Sequence, residues 1–67
     1  MQNIIEKYNL SDIEKRDINK LIKDRNNLSL DDIDFMIGAL EQGGYLHSVF
    51  KNDDFRDCQL EIYKSLK

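Results

Sequence analysis

Few side chains in this chain could do chemistry, and their neighbours decide what each can do. His47 is the only histidine and Cys58 the only cysteine. Acid–base or nucleophilic catalysis needs a reactive group, a base and an orienting partner within hydrogen-bond reach. No such constellation surrounds His47 in sequence, so it reads as a surface or boundary residue. Cys58 stands inside an apolar stripe beside Asp54, Asp57 and Glu61. A reactive thiolate wants cationic neighbours, so Cys58 reads as a small buried hydrophobe. One cysteine also excludes an internal disulfide and a cysteine-built zinc site. Asp32-Ile33-Asp34 opens like a calcium loop, but the fifth and sixth positions, which need a ligand and a glycine, are Met36 and Ile37. Asp53, Asp54 and Asp57 lack the spacing too. Both acidic clusters suit the positive end of a helix dipole. Gly43-Gly44 is followed by Tyr-Leu-His, with no Lys-Ser/Thr pair to cradle a phosphate, and reads as a helix stop. The residues therefore point away from an enzyme, a cofactor, a metal or a small-molecule substrate.

These residues must be placed by a chain of 67 residues, room for one domain over 1–67. A chain this short buries only about 60% of its unfolded surface, so its core is thin. No apolar run approaches the roughly 20 residues of a membrane span or forms a signal segment, and a lone cysteine is compatible with the cytoplasm. Ile, Lys and Asn supply 21 residues, a bias of AT-rich genomes that points to a phage, plasmid or low-GC bacterial source. The net charge of −3 is uneven. Residues 1–30 carry six basic and five acidic side chains, and residues 31–67 carry four and eight. Duplex DNA repels an acidic face, since non-specific affinity comes from Lys and Arg displacing counterions. Such a face suits a basic protein surface, or solubility alone.

The apolar spacing is helical almost throughout, and nothing alternates as a half-buried strand would. A short helix over 3–8 places Ile4, Ile5 and Tyr8 together. A second starts at Ser11, where Ser11 and Glu14 fit a capping box; Ile18, Leu21 and Ile22 form its stripe, and Asn26-Asn27 closes it. A third starts at Ser29, with Asp32 three residues on and Leu28 and Ile33 placed as a hydrophobic staple. Its stripe is Ile33, Met36, Ile37 and Leu40. At Gly43-Gly44 the helix either breaks or runs on to about Lys51, and the glycine cost of about 1 kcal/mol each favours a break. The last helix starts near Asn52 or Asp53, with Phe55, Cys58, Ile62 and Leu66 as its stripe and Tyr63 on the flank. The expected fold is all-α: a small antiparallel bundle of three main helices plus one or two short helices.

Two resemblances follow from particular residues. Across 35–52, Ala39, Gly43 and Val49 are spaced as the small residue, turn glycine and packing residue of a helix-turn-helix, which implies a second helix over 45–51. That segment holds one basic residue, and Gly38, Gln42, Gly44 and Asn52 stand where the family places apolar side chains. The basic stretch 18–27 followed by Leu28-Ser-Leu-Asp-Asp-Ile is similar to the Hha/YmoA group of small nucleoid-associated modulators. That group's Asp-His-Arg segment has no counterpart here.

What remains is apolar surface. Tyr45, Leu46, Val49, Phe50 and Phe55 cluster around the glycine turn, and a bundle this small can leave some of them uncovered. Exposed apolar patches mark interfaces and aromatics are favoured anchors. Tyr45, Leu46, Val49, Phe50 and Phe55 are therefore expected to contact another protein, with Asp53, Asp54, Asp57 and Glu41 steering a basic surface toward them. The expected function is a cytoplasmic, non-enzymatic regulator or inhibitor that occludes a partner protein; a homodimer through the same patch is equally allowed. The alternatives are a nucleic-acid-linked transcription or nucleoid modulator and an acidic DNA mimic, although direct nucleic-acid contact is disfavoured by charge.

Overall fold

The computed structural model describes residues 2–45 and 49–67, and for Gln2 the backbone alone. Among them are four α-helices, α1 (Gln2–Glu6), α2 (Asp12–Lys23), α3 (Leu30–Glu41) and α4 (Asp53–Leu66), a 3₁₀ turn (Asp24–Asn27), and no strand. This is the all-α bundle expected.

Local grammar sets the boundaries. Ser11 Oγ accepts from Glu14 N at 3.2 Å, and Ser11 N donates back to Glu14 Oε1 at 2.9 Å. Ser29 and Asp32 repeat the exchange at 3.1 and 3.3 Å. Each box satisfies two backbone N–H groups that the first helical turn leaves unpaired. α2 does not stop on a left-handed asparagine; it tightens into the 3₁₀ turn, which closes with Leu28 N donating to Arg25 O at 3.1 Å. α1 ends at Glu6, short of the expected Tyr8, because Lys7 and Tyr8 donate three residues back, to Ile4 and Ile5.

The glycine pair ends α3. Gly43 takes φ +89°, a left-handed conformation that is inexpensive only without a Cβ. Gly43 N donates to Leu40 O at 3.0 Å and Gly44 N to Ala39 O at 2.9 Å, the two bonds of a Schellman close. A Cβ on Gly44 would lie 2.8 Å from the Ala39 carbonyl oxygen, so this position also requires glycine. The helix breaks here, and Tyr45 and residues 49–52 are not helical. Among the described residues of 45–51 no second helix of a helix-turn-helix is formed, and the likeness across 35–52 is one of spacing alone.

α4 is the axis of the molecule. Its Phe55, Cys58 and Ile62 join Ile5, Leu10 and Ile18 in one core cluster, and its Tyr63 joins Ile33, Ile37 and Leu40 in a second. Cross-links fix the directions. Asn52, at the start of α4, donates to Glu14 at the start of α2, and Arg25, after α2, donates to the Leu66 carbonyl at the end of α4. Lys64 and Lys67 pair with Glu41 and Asp34, so α3 runs the other way. Consecutive long helices thus alternate up, down, up. α2 and α3 both pack on α4 more than on each other.

Candidate protein-binding surface

The expected surface lies between the Schellman close and the first turns of α4. Here the structure divides the residues sharply. Val49 is 84% exposed. Phe50 is half-buried, its ring tilted against Phe55 with centroids 4.7 Å apart. Phe55 is fully enclosed in the first cluster. That corrects its expected role: its position on the α4 stripe turns it inward, so it supports the surface without lining it. Leu46, and with it His47, falls outside the described residues.

Tyr45 is half-buried, and its hydroxyl donates to Asp53 Oδ1, which raises the Tyr45 pKa. The Arg56 guanidinium lies 6.0 Å from the centre of the Tyr45 ring, at the outer reach of a cation–π contact. The same guanidinium pairs with Asp57 at 3.4 Å and Asp53 at 3.9 Å. The carboxylates expected to steer a partner are thus partly neutralised from within. Asp54 makes no ion pair among the described residues, while Glu41 is answered by Lys64 at 3.8 Å. Asn52 caps α4, which carries Asp53, Asp54 and Asp57, accepting from Asp54 N at 3.0 Å.

Two features were missed from the sequence. Phe35 is 74% exposed on the outer side of α3, and Leu30, at the start of that helix, is 57% exposed. The available signal is that α3 is apolar nearly all round, from Leu30 through Phe35 and Met36 to Leu40, which a helix packed on one side does not need. The second is a cleft of about 280 Å³ between α2 and α3, bordered by Asp17, Leu21, Leu28 and Met36, with Gln59 and Tyr63 of α4 at its base. Glutamine on an otherwise apolar face was the clue.

The segment after α1 is tied to α4. Tyr8 donates to Glu61 Oε2 at 2.7 Å and Lys7 pairs with Glu61 Oε1. Lys7, and then Tyr8, hold the Glu61 carboxyl below its ordinary pKa, and the bond to Glu61 pushes Tyr8 up to about 12. Cys58 is wholly enclosed, and burial pushes its thiol up to about 11. Asp32 is used in its capping box and Asp34 pairs with Lys67. Among the described residues no group of three metal-binding side chains comes together, and no helix is long and apolar enough to cross a membrane.

No protein-family model, no curated protein and no solved structure matches the chain.

Proposed function

We propose that this chain is a non-enzymatic module that binds another protein and occludes part of its surface, as a small regulator or inhibitor. The observation that carries the reading is the exposure of Val49 beside the acidic start of α4. An apolar side chain left in water, in a segment that leads through the half-buried Phe50 to the acidic first turn of α4, supports an interface with an apolar centre and a charged rim. Phe35, on α3, is a second exposed apolar side chain. The partner is expected to present a basic surface, and a second copy of the chain is the simplest competing occupant.

Val49→Glu tests this directly, because Val49 has little to lose from the fold. The expected result is unchanged helicity and melting temperature, with loss of a protein that wild-type chain retains from a host lysate. Retention of the same protein by the variant would refute the surface. Light scattering on the free chain decides whether the occupant is a second copy.

A nucleic-acid-linked role rests on a different observation. Lys15, Arg16, Lys20 and Lys23 share one exposed face of α2, and none makes an ion pair among the described residues. Four cations support only weak phosphate binding, so this reading ranks second. Salt-sensitive binding of random duplex DNA, lost on Lys15→Gln with Lys23→Gln, would promote it.

A further inference from the structure

α3 turns one face to the core and another to water. Ile33, Ile37 and Leu40 are buried, whereas Phe35 is 74% exposed. At 3.6 residues per turn, Asp31, Phe35, Gly38 and Gln42 fall within about 60° of one another, on the side away from the buried stripe. Asp31 and Gln42 are exposed and Gly38 is half-buried. Nothing inside the chain calls for the glycine. Gly38 does not take a positive φ, and a Cβ built on it would meet nothing within 4 Å. An alanine would fit and would favour the helix by about 1 kcal/mol. Phe35, one turn earlier, is an aromatic ring that the core does not use. A hollow and a projecting ring thus stand three residues apart on one open face.

We propose that this outer face of α3 is where a second copy of the chain docks, with the two α3 helices antiparallel. A knob and a hollow on the same face are self-complementary. In a twofold arrangement the Phe35 ring of each copy lies over Gly38 of the other. That register also sets Asp31 of each copy against Gln42 of the other, where a side-chain amide can donate to a carboxylate. All four residues of the face are therefore matched at once. Charge complementarity points to the same occupant. Along one edge of the face Asp34 pairs with Lys67, and Glu41 pairs with Lys64 at 3.8 Å. Reversing a second copy sets the Asp34 end against the Glu41 end, so each lysine comes within reach of an acid on the other copy. A strongly basic partner would gain little from an edge already neutralised by its own lysines. Glycine at the crossing lets the helix axes approach toward the lower end of the usual spacing of about 8–10 Å. A single helix crossing falls below the roughly 1,200 Å² of lasting interfaces, so the pair is transient and the face is open in the dilute chain. The proposal uses no residue of the Val49 surface and does not depend on the reading above.

Sedimentation equilibrium of the full chain between about 10 µM and 2 mM tests it, with a monomer–dimer equilibrium of Kd on the order of 0.1–1 mM expected. Phe35→Glu sets carboxylates at the crossing and Gly38→Leu fills the hollow. Each raises Kd at least about tenfold. Neither change touches the core, and leucine is the better helix former, so the melting temperature of dilute Gly38→Leu stays or rises. Val49→Glu leaves the dimer unchanged. On dilution, backbone amide shifts should concentrate at Asp31, Phe35, Gly38 and Gln42. A chain that is monomeric at the highest concentration would overturn the proposal. So would a dimer that Gly38→Leu leaves intact, or one lost in Val49→Glu and kept in Phe35→Glu, which would place the second copy on the Val49 surface instead.

Discussion

Cys58 and Tyr63 lie five residues apart on α4, and both are held neutral by burial. Enclosure pushes the Cys58 thiol up to about 11, and burial, with the Asp17 charge second, pushes Tyr63 up to about 12. In the unfolded chain these groups ionise near 8.5 and 10. The unfolded state therefore sheds protons first as pH rises, and stability falls across that interval. The contribution is complete below about pH 8.5, declines first through Cys58, and declines further above about pH 10 as Tyr8 and Tyr63 join. On the acid side the sign reverses. Glu61 is held low, so its contribution is present above the usual carboxyl range and disappears as pH falls through its folded value. Urea midpoints at pH 7 and 9.5 check the alkaline limb: wild type loses on the order of 1 kcal/mol between them, and Cys58→Ala, though less stable at pH 7, shows almost no change over the same interval. Equal pH dependence in both chains would show that the thiol is not the group responsible.

At the scale of elements, the caps divide into those a sequence can show and those it cannot. Ser11 with Glu14 and Ser29 with Asp32 are bonds between residues three apart, so spacing alone reveals them. The glycine stop is equally local, since Gly43 and Gly44 answer for their own backbone. Asn52 is different. Its Oδ1 caps α4, which its position next to Asp53-Asp54 suggests, but its Nδ2 donates to Asn9 O and to Glu14 Oε1, both at 3.3 Å. Those partners lie 43 and 38 residues away, and only the packed bundle brings them near. One amide thus ties the start of α4 to the capping box of α2. Ser29→Ala removes a cap alone and is expected to cost about 1 kcal/mol, whereas Asn52→Ala removes the cap and two cross-links and should cost about 2 kcal/mol. Asn52→Asp is the discriminating variant. It keeps an acceptor for Asp54 N, but it loses the donor and sets a carboxylate against Glu14. If Asn52 were only a cap, Asn52→Asp would be neutral; the geometry expects it to be as damaging as Asn52→Ala in urea unfolding at pH 7.

The whole molecule is organised around α4, with α1 and α2 on one side and α3 on the other. The stripes of α2, α3 and α4 were readable because 3.6-residue periodicity survives in each. The side of α4 that each helix takes was not, because Phe55, Cys58, Ile62 and Tyr63 span more than one face and nothing local assigns the faces to partners. The exposure of Phe35 was likewise not assigned, and the pairing of Arg56 with Asp53 and Asp57 was hidden in a tally of charges. This layout has a consequence for motion. α4 is flanked by core on the α1–α2 side through Phe55, Cys58 and Ile62 and reaches α3 through Leu60 and Tyr63. α3 leans chiefly on α4, and its outer side, with Phe35, faces solvent. A helix held on one side can detach while the rest of the bundle stands; a helix held on both sides is released only when the bundle unfolds. Native-state hydrogen exchange should therefore give the Cys58 and Ile62 amides the free energy of global unfolding and the Met36 and Ile37 amides a value lower by about 1 kcal/mol or more. Leu40→Ala, which removes contacts in the second cluster, should widen that gap. Equal exchange free energies in the two helices, in wild type and in Leu40→Ala, would mean that α3 and α4 open as one unit and that the outer face of α3 carries no independent mobility.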